Sequence, residues 1–305
     1  MIDPRRLQIL AEVARQGSFN RAAARLRLTP SAVSQQISAL EQSLGTAVFV
    51  RSTRGVTLTP AGQVLADTAT AVAAELLAAE RELTRLADGS RTLTVVTFTT
   101  GGQRLLPPAL IRFNAAHPGV ELTVIESEPA ASLPLIRSGE ADLALVYHLD
   151  DRPPVPPGLT WTPLMDDPMW IVLPAGHPLG GRGSLSIAEL GDERWVHGCL
   201  VVGDLVEQYA TAAGLTLRTA CRGTDYHFAQ QLVRAGVGIS MIPEVALTAD
   251  QTGLTAVRLE PPGPCRYVAA VTARRAGRSP LVGALLEELR CTVTALPPAP
   301  AATRA

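Results

Sequence analysis

Apolar residues in the first sixty positions recur at helical spacing. Leu7, Leu10 and Ala14 lie on one face of a first helix, because three or four residues separate each from the next. A second, short helix follows, for which Asn20 is the expected N-cap. A third helix is expected to begin at Thr29-Pro30, since threonine caps well and proline needs no hydrogen-bonded N–H in the first turn. The segment therefore predicts three helices in close succession.

The outward face of the third helix carries short polar side chains. They are Ser31, Ser34, Gln35, Gln36 and Ser38. Small side chains let a helix approach base edges closely, and glutamine can form two hydrogen bonds with adenine. Two alternating apolar runs around a glycine turn then predict a hairpin that carries Arg51 and Arg54. This combination favours a DNA-binding winged helix-turn-helix, and a small helical bundle with a solvated polar face is the alternative.

The next segment has an apolar residue every three or four positions and no helix breaker. Its apolar positions are Leu65, Ala69, Val72, Leu76, Ala79, Leu83 and Leu86. The spacing predicts a helix of about 28 residues, roughly 42 Å long, with a coiled-coil seam. A second copy of the chain is the expected partner of this seam, and the alternative is that the helix folds back on its own domain.

From about residue 90 the pattern changes to short apolar runs that alternate with helical segments. The order over residues 92–148 is β-α-β-α-β, which is typical of a parallel sheet with helices on its faces. Two further strands are expected between Thr160 and Gly176, and strands and helices continue to alternate after them. The tail, residues 297–305, is rich in proline and alanine and is expected to be disordered.

Composition and charge narrow the possible classes of protein. The 305 residues are 47% hydrophobic and 18% charged, which fits two or three folded domains and excludes general disorder. No apolar run reaches the roughly 18–20 residues of a membrane span, the first residues do not resemble a signal peptide, and the four cysteines lack zinc or disulfide spacing. A cytoplasmic protein is therefore expected. Residues 1–60 hold eight arginines against three acidic residues, so a basic head precedes an acidic body.

Residues 17–62, GSFNRAAARLRLTPSAVSQQISALEQSLGTAVFVRSTRGVTLTPAG, resemble the winged helix-turn-helix of LysR-type transcriptional regulators. Later stretches, among them LLPPALIRF, SGEADLALV and LVRAGVGISMIP, resemble the effector-binding region of the same family. The resemblance covers essentially the whole chain. It implies an α+β multidomain protein whose C-terminal part is a two-lobed α/β fold like that of periplasmic solute-binding proteins.

The resemblance also implies domain boundaries. They are 1–59 for the DNA-binding domain, 60–89 for the linker and dimerisation helix, and 90–296 for the effector-binding domain. Lobe one would comprise residues 92–161 and 268–296, and lobe two residues 162–267, with a cleft between them.

Ligands of open α/β sheets bind beyond the carboxyl ends of the strands, so residues that follow strands are the candidate effector contacts. They are Thr99, Thr100, Ser127, Glu128, Tyr147, His148, His197, Cys199, Thr224 and Tyr226. Helix capping is the alternative role for Thr99 and Thr100. The set offers hydroxyls and one acid but no arginine, so a neutral or amine-bearing effector is expected in preference to a dicarboxylate.

Motifs of hydrolases, P-loop proteins and zinc proteases are absent from the sequence, which argues against an enzyme and against a metal or other cofactor. The resemblance implies a homodimer or homotetramer that binds a pseudo-palindromic promoter site, contacts RNA polymerase and has no membrane partner. Two alternatives remain at this stage. One is a small-molecule binding or transport-associated protein, and the other is a regulator that senses oxidation through a cysteine such as Cys199.

Overall fold

The computed structural model describes residues 2–52, 55–88, 91–149, 158–247, 250, 252–261, 263–274 and 279–296. The predicted disordered tail, 297–305, lies outside the described residues. No helix in these ranges is long and apolar enough to span a membrane.

Three helices and a hairpin form the N-terminal head. They are α1 (Pro4–Gln16), α2 (Phe19–Leu26), α3 (Pro30–Leu44), β1 (Phe49–Ser52) and β2 (Gly55–Leu58). Leu10, Val33 and Ile37 are fully buried in its core. The α3 boundaries follow the predicted signals, because the Thr29 side chain accepts a hydrogen bond from the backbone N–H of Ala32 and Gly45 ends the helix in the left-handed conformation.

The prediction of Asn20 as the cap of α2 is wrong. Gly17 ends α1 at φ 59°, and the chain re-enters a helix at once, so Ser18 occupies the N-cap and accepts from the backbone N–H of Arg21. Asn20 therefore lies inside the first turn of α2.

A single long helix, α4 (Pro60–Asp88), connects the head to the body. Its apolar stripe has two environments. Leu65 and Ala69 are buried against the core of the head, whereas Leu76 and Leu83 are 51% and 66% exposed. Folding back on the head thus accounts for the first part of the predicted seam, and the second part faces outward.

Lobe one consists of a sheet covered by helices. Its elements are β3 (Thr92–Thr97), α5 (Thr99–Arg104), α6 (Leu106–Ala116), β4 (Glu121–Glu126), α7 (Pro129–Arg137), β5 (Leu143–His148) and α10 (Pro280–Thr294). The strand β3 pairs in parallel with both β4 and β5, as the β-α-β-α-β pattern predicts. Two longer strands, β6 (Leu159–Pro174) and β12 (Cys265–Ala273), continue this sheet in the order β4-β3-β5-β12-β6.

Lobe two is built on the second half of β6. Its elements are β7 (Ser184–Leu185), β8 (Arg194–His197), α8 (Leu200–Ala212), β9 (Arg218–Arg222), α9 (Tyr226–Arg234), β10 (Ser240–Pro243) and β11 (Leu254–Leu259), with 3-10 helices at Ile187–Leu190 and Glu244–Ala246. Antiparallel β10 and β11 flank β6, and the parallel pair β8–β9 joins them through a bridge between Trp195 and Ile239.

One continuous strand of 16 residues replaces the two strands predicted between Thr160 and Gly176. Up to Pro168 this strand, β6, pairs with β12, and from Met169 it pairs with β10. The strand β6 therefore passes from the sheet of lobe one to that of lobe two at Pro168. The boundary expected from the sequence lies earlier, at 161/162. Asp166-Asp167-Pro168 is typical of a turn in sequence, but here the Asp167 carboxylate has a partner on β12 and the strand continues.

Candidate DNA-binding and effector-binding sites

The outer face of α3 presents the predicted recognition residues. Ser31 and Gln35 are exposed, and Ser34, Gln36 and Ser38 are partly exposed. Within the described residues the Gln35 side chain makes no hydrogen bond, whereas the Gln36 side-chain carbonyl accepts from Arg6 Nε at 3.2 Å and Ser31 Oγ lies 3.1 Å from Thr29 Oγ1. Gln35 is thus the glutamine whose whole amide is free to reach a base edge.

The hairpin that follows α3 has the antiparallel register expected of a wing, with Ser52 opposite Gly55. Arg51 belongs to β1. The side chain of Arg51 and the whole of Arg54 lie outside the described residues, so their predicted contacts with DNA stay predictions.

An ion pair is buried where β6 and β12 pass from one lobe to the other. Arg266 donates from Nε and Nη2 to Asp167 Oδ2 at 3.0 and 2.6 Å, and both side chains are at most 1% exposed. Burial is the largest single effect on the pKa of the Arg266 guanidinium and lowers it, but the charge and hydrogen bond of Asp167 together with Tyr226 and Tyr147 outweigh burial, and the pKa is raised. Arg266 therefore carries its positive charge inside the protein.

Hydrogen bonds extend this ion pair into both lobes. Arg266 Nη2 also donates to Thr100 Oγ1 on α5 at 3.1 Å, and Asp167 Oδ1 accepts from the backbone N–H of Val245 in lobe two at 2.9 Å. The chain Thr100–Arg266–Asp167–Val245 thus ties lobe one to lobe two through charge-assisted hydrogen bonds, which are among the stronger ones in proteins.

Aromatic rings surround the Arg266 guanidinium. Its Cζ atom lies 5.3, 4.8 and 5.9 Å from the ring centroids of Phe98, Tyr147 and Tyr226. These distances are in the range of cation–π attraction. Phe98 and Tyr147 come from lobe one and Tyr226 from lobe two, so the rings also meet at the boundary between lobes.

Polar groups of both lobes approach each other beside these rings. Tyr147 Oη donates to Glu128 Oε2 at 2.9 Å and lies 3.8 Å from Cys199 Sγ, at the start of α8. The Tyr226 hydroxyl is directed toward the same thiol, yet it is buried without a hydrogen bond of normal geometry to any described residue. Burial raises the pKa of both tyrosines, so both hydroxyls keep their protons at neutral pH. We call Thr100, Glu128, Tyr147, Cys199, Tyr226 and Arg266 the interlobe cluster.

Comparison with protein families matches both parts of the chain. Residues 4–63 match the family described as "Bacterial regulatory helix-turn-helix protein, lysR family", and residues 87–293 match the "LysR substrate binding domain". The chain belongs to the LysR family of transcriptional regulators. It is a DNA-binding transcriptional regulator with a C-terminal domain for a small-molecule effector, and the predicted fold of winged helix-turn-helix, linker helix and two-lobed α/β domain is confirmed.

Individual relatives agree with the family assignment. The transcriptional regulator IlvR of Caulobacter vibrioides is 30% identical over 86% of this chain and 89% of its own. A probable hydrogen peroxide-inducible genes activator of Streptomyces viridosporus is 31% identical over 93% of both chains. The solved structure of full-length OxyR C199D from Pseudomonas aeruginosa has the same fold, with a TM-score of 0.57 and 22% identity over 95% of each chain.

Five of the ten effector residues predicted for this LysR-family protein meet in the interlobe cluster, and five do not. Thr99 instead donates to Glu126 Oε1 at 2.8 Å. Ser127 is half-buried at the end of β4, where its carbonyl accepts from Ser132 Oγ, and Thr224 is exposed ahead of α9. Both predicted histidines also lie elsewhere.

His148 lies on the opposite face of β5 from Tyr147, because neighbouring residues of a strand point to opposite sides. Its ring stacks on Tyr267 at 5.2 Å and meets the edge of Trp161 at 5.6 Å. His197 is buried under α8, where a Cβ added to Gly203 would come within 3.1 Å of its ring. Burial lowers the pKa of His197, so a neutral ring serves the packing of lobe two.

The predicted set of effector residues lacked an arginine, and the structure places Arg266 among five of them. Arg266 and Asp167 were missed because neither follows a strand: each lies inside one. A signal was present, since an acid in MDDPMWIVL and an arginine in CRYVAAV both interrupt apolar strands, and buried charges usually occur in pairs.

The described residues contain no group of three or more His, Cys, Asp or Glu side chains able to hold a metal ion. All four cysteines are free thiols; Cys199, Cys221 and Cys265 are half-buried and Cys291 is exposed.

Substitution of Gln35 tests the recognition surface of this regulator. Gln35→Ala should weaken binding to the specific operator by about 1–3 kcal/mol and leave binding to scrambled DNA unchanged, because only base-edge contacts are lost. Footprinting titrations on both DNAs measure the two affinities. Gln8→Ala, an exposed glutamine on α1, is the matched control, and an equal loss on both DNAs after Gln35→Ala would remove α3 as the reading helix.

Proposed function

We propose that the effector binds at the interlobe cluster and changes the relation between the two lobes. The observation that carries the proposal is the buried Tyr226 hydroxyl, which faces the Cys199 thiol at the boundary of the lobes and makes no hydrogen bond of normal geometry to a described residue. A buried polar group without a hydrogen bond costs free energy, and an effector that supplies an acceptor removes this cost. Contacts with Tyr226 from lobe two and with Tyr147 from lobe one would then stabilise one arrangement of the lobes.

The charges of the cluster support a neutral or amine-bearing effector. The positive charge of Arg266 is already paired with Asp167, which is fully buried. Glu128 is the remaining charge, and its carboxylate accepts from Tyr147 at the exposed side of the cluster. A dicarboxylate would therefore meet an uncompensated negative charge. We therefore still propose a neutral or amine-bearing effector. The reason has changed, because an arginine is present but is already paired with an acid.

Transmission to DNA requires more than one head. We propose that two or four chains assemble through the exposed part of the α4 stripe, Leu76 and Leu83, and grip a pseudo-palindromic promoter site. Movement of the lobes would then change the spacing of the heads and the contact with RNA polymerase. We place this action in the cytoplasm, where promoter DNA is found, and assign it no catalytic step or cofactor.

Removal of one oxygen tests the effector site. Tyr226→Phe should leave the unliganded protein as stable as before, because the lost hydroxyl has no hydrogen bond of normal geometry to the described residues, and should weaken effector binding by about 0.5–1.5 kcal/mol. Calorimetry with a panel of neutral, amine-bearing and dicarboxylate metabolites identifies the ligand. It also gives the affinity of the unsubstituted protein and of the Tyr226→Phe protein for that ligand.

Tyr209→Phe, at a half-buried tyrosine on α8, is the matched control and should change neither quantity. Tight binding of a dicarboxylate with the same affinity in the Tyr226→Phe protein would contradict both the site and its charge.

Oxidation sensing is a second candidate, favoured by the position of Cys199. Its thiol lies 3.8 Å from the Tyr147 hydroxyl within the cluster, and one relative carries the name of a hydrogen peroxide-inducible genes activator. In this reaction hydrogen peroxide would convert the thiol to a sulfenic acid and release water. Mass spectrometry after peroxide treatment tests it. Oxidation of Cys199 ahead of the exposed Cys291, with loss of the response in Cys199→Ser, supports this function, and oxidation of Cys291 alone contradicts it.

A further inference from the structure

A second concave surface lies on lobe one and shares no residue with the interlobe cluster. This groove, with a volume of about 340 Å³, runs between the start of α6 and the end of α10. Its polar lining consists of Gln103, Arg104, Arg112 and Thr292, and Pro108 and Leu296 supply apolar walls. The volume is within the range of small-molecule sites.

One of the two arginines of the groove is held in place. Arg112 Nη2 donates to the carbonyl of Glu288 at 2.6 Å and to Thr292 Oγ1 at 2.7 Å, and Nε donates to the Glu288 carboxylate. Thr292 is only 4% exposed. These bonds fix the guanidinium plane, and they leave Nη1 without a hydrogen-bond partner among the described residues. A guanidinium fixed in this way offers donors to a ligand at little further entropic cost.

The other arginine gives the groove its net charge. Arg104, in the last turn of α5, has no ion-pair partner within the part of the chain that the structure describes. Glu288 compensates Arg112 only, so one positive charge remains, and the Gln103 amide adds a further donor. This balance is opposite to that at the interlobe cluster, where Asp167 neutralises Arg266 and Glu128 remains as a negative charge.

We propose that the groove binds a small monocarboxylate with an apolar body. Guanidinium groups pair with carboxylates through charge-assisted hydrogen bonds, and the walls at Pro108 and Leu296 bury the apolar part of the ligand.

The groove and the interlobe cluster share the helix α5. Arg104 follows Thr100 by four residues, a distance of about 6 Å along the helix axis, and Thr100 accepts the hydrogen bond from Arg266. α5 also packs against the 3-10 helix Glu244–Ala246 of lobe two. A ligand held by Arg104 therefore acts on the element that joins the two lobes, and by linkage the effector acts on the groove.

Calorimetry on the full-length protein tests the groove with phenylacetate as the probe and phenylacetamide as its uncharged counterpart. Phenylacetate should bind and phenylacetamide should bind at least tenfold more weakly, since only the first carries a carboxylate. Arg104→Gln should lower the affinity for phenylacetate at least tenfold, whereas Arg218→Gln, an exposed arginine of lobe two, should leave it unchanged.

The Tyr226→Phe protein separates this site from the interlobe cluster. Phenylacetate affinity should be the same as in the unsubstituted protein, whatever becomes of the proposed effector site. Absence of phenylacetate binding, equal binding of the amide, unchanged affinity in Arg104→Gln, or a loss in Tyr226→Phe would each overturn the proposal.

Discussion

Asp167→Asn is expected to destabilise the effector-binding domain by about 3–5 kcal/mol, because it leaves the Arg266 guanidinium buried without its counter-charge. For a domain of about 200 residues this corresponds to a fall of roughly 6–20 °C in the unfolding midpoint. The expected loss is large because both side chains are almost completely inaccessible to water. Calorimetric scanning of the full-length protein measures it.

The companion substitution separates the lost ion pair from a general packing defect. Replacement of both partners, Asp167→Leu with Arg266→Met, should recover most of the stability, since no buried charge remains. Asp250→Asn is the control, because Asp250 is a mostly exposed acid that faces Arg234 at 3.7 Å, and removal of such a surface pair costs little. If Asp167→Asn is as stable as this control, Arg266 and Asp167 are not a buried ion pair in solution.

Leu76→Asp is expected to dissociate the oligomer and to lower operator affinity at least a hundredfold. The exposed half of the α4 stripe needs a partner, and a carboxylate buried there costs much more than the lost leucine contact. Two linked heads bind two half-sites with an avidity that exceeds that of a single head by about 10²–10⁴, and dissociation removes this gain. Light scattering reports the assembly, and a filter-binding titration reports the affinity.

Thr70→Asp introduces the same charge on the same helix but away from the apolar stripe, at an exposed position, and should change neither measurement. An oligomer of unchanged mass after Leu76→Asp would exclude this part of α4 from the interface. Circular dichroism shows whether the Leu76→Asp protein is still folded. If it is not, Leu76→Ala is the second test, because alanine keeps the helix and should weaken assembly to a smaller extent.

Local sequence signals determined the head and the order of elements in the body. The Thr29-Pro30 start and the Gly45 end of α3 are decided by hydrogen bonds within a few residues, so they are readable from the sequence. Strand and helix periodicity in lobe one is equally local. The wrong prediction of Asn20 as the cap shows the limit of such signals, because Ser18, two residues earlier, takes the N-cap once α1 has ended at Gly17.

The apolar stripe of α4 shows a different limit. Its spacing predicts a helix with one continuous seam, and the helix is present as predicted. Spacing does not reveal what covers each position, however. The three-dimensional arrangement buries Leu65 and Ala69 against the head and leaves Leu76 and Leu83 outside, which restricts the proposed oligomer contact to one half of the stripe.

The composition of the proposed effector site depended on the tertiary structure. The rule that ligands bind after strands selected Thr100, Tyr147 and Tyr226 from the sequence, and the structure brings these three residues together around Arg266. Arg266 and Asp167 are 99 residues apart and face each other only because β12 runs beside β6 in one particular register. The sequence by itself determined which segments are helices and strands and to which family the pattern is similar, because those properties depend on near neighbours. The pairing of distant strands, and with it the charge of the interlobe cluster, was decided by the packing of the whole chain.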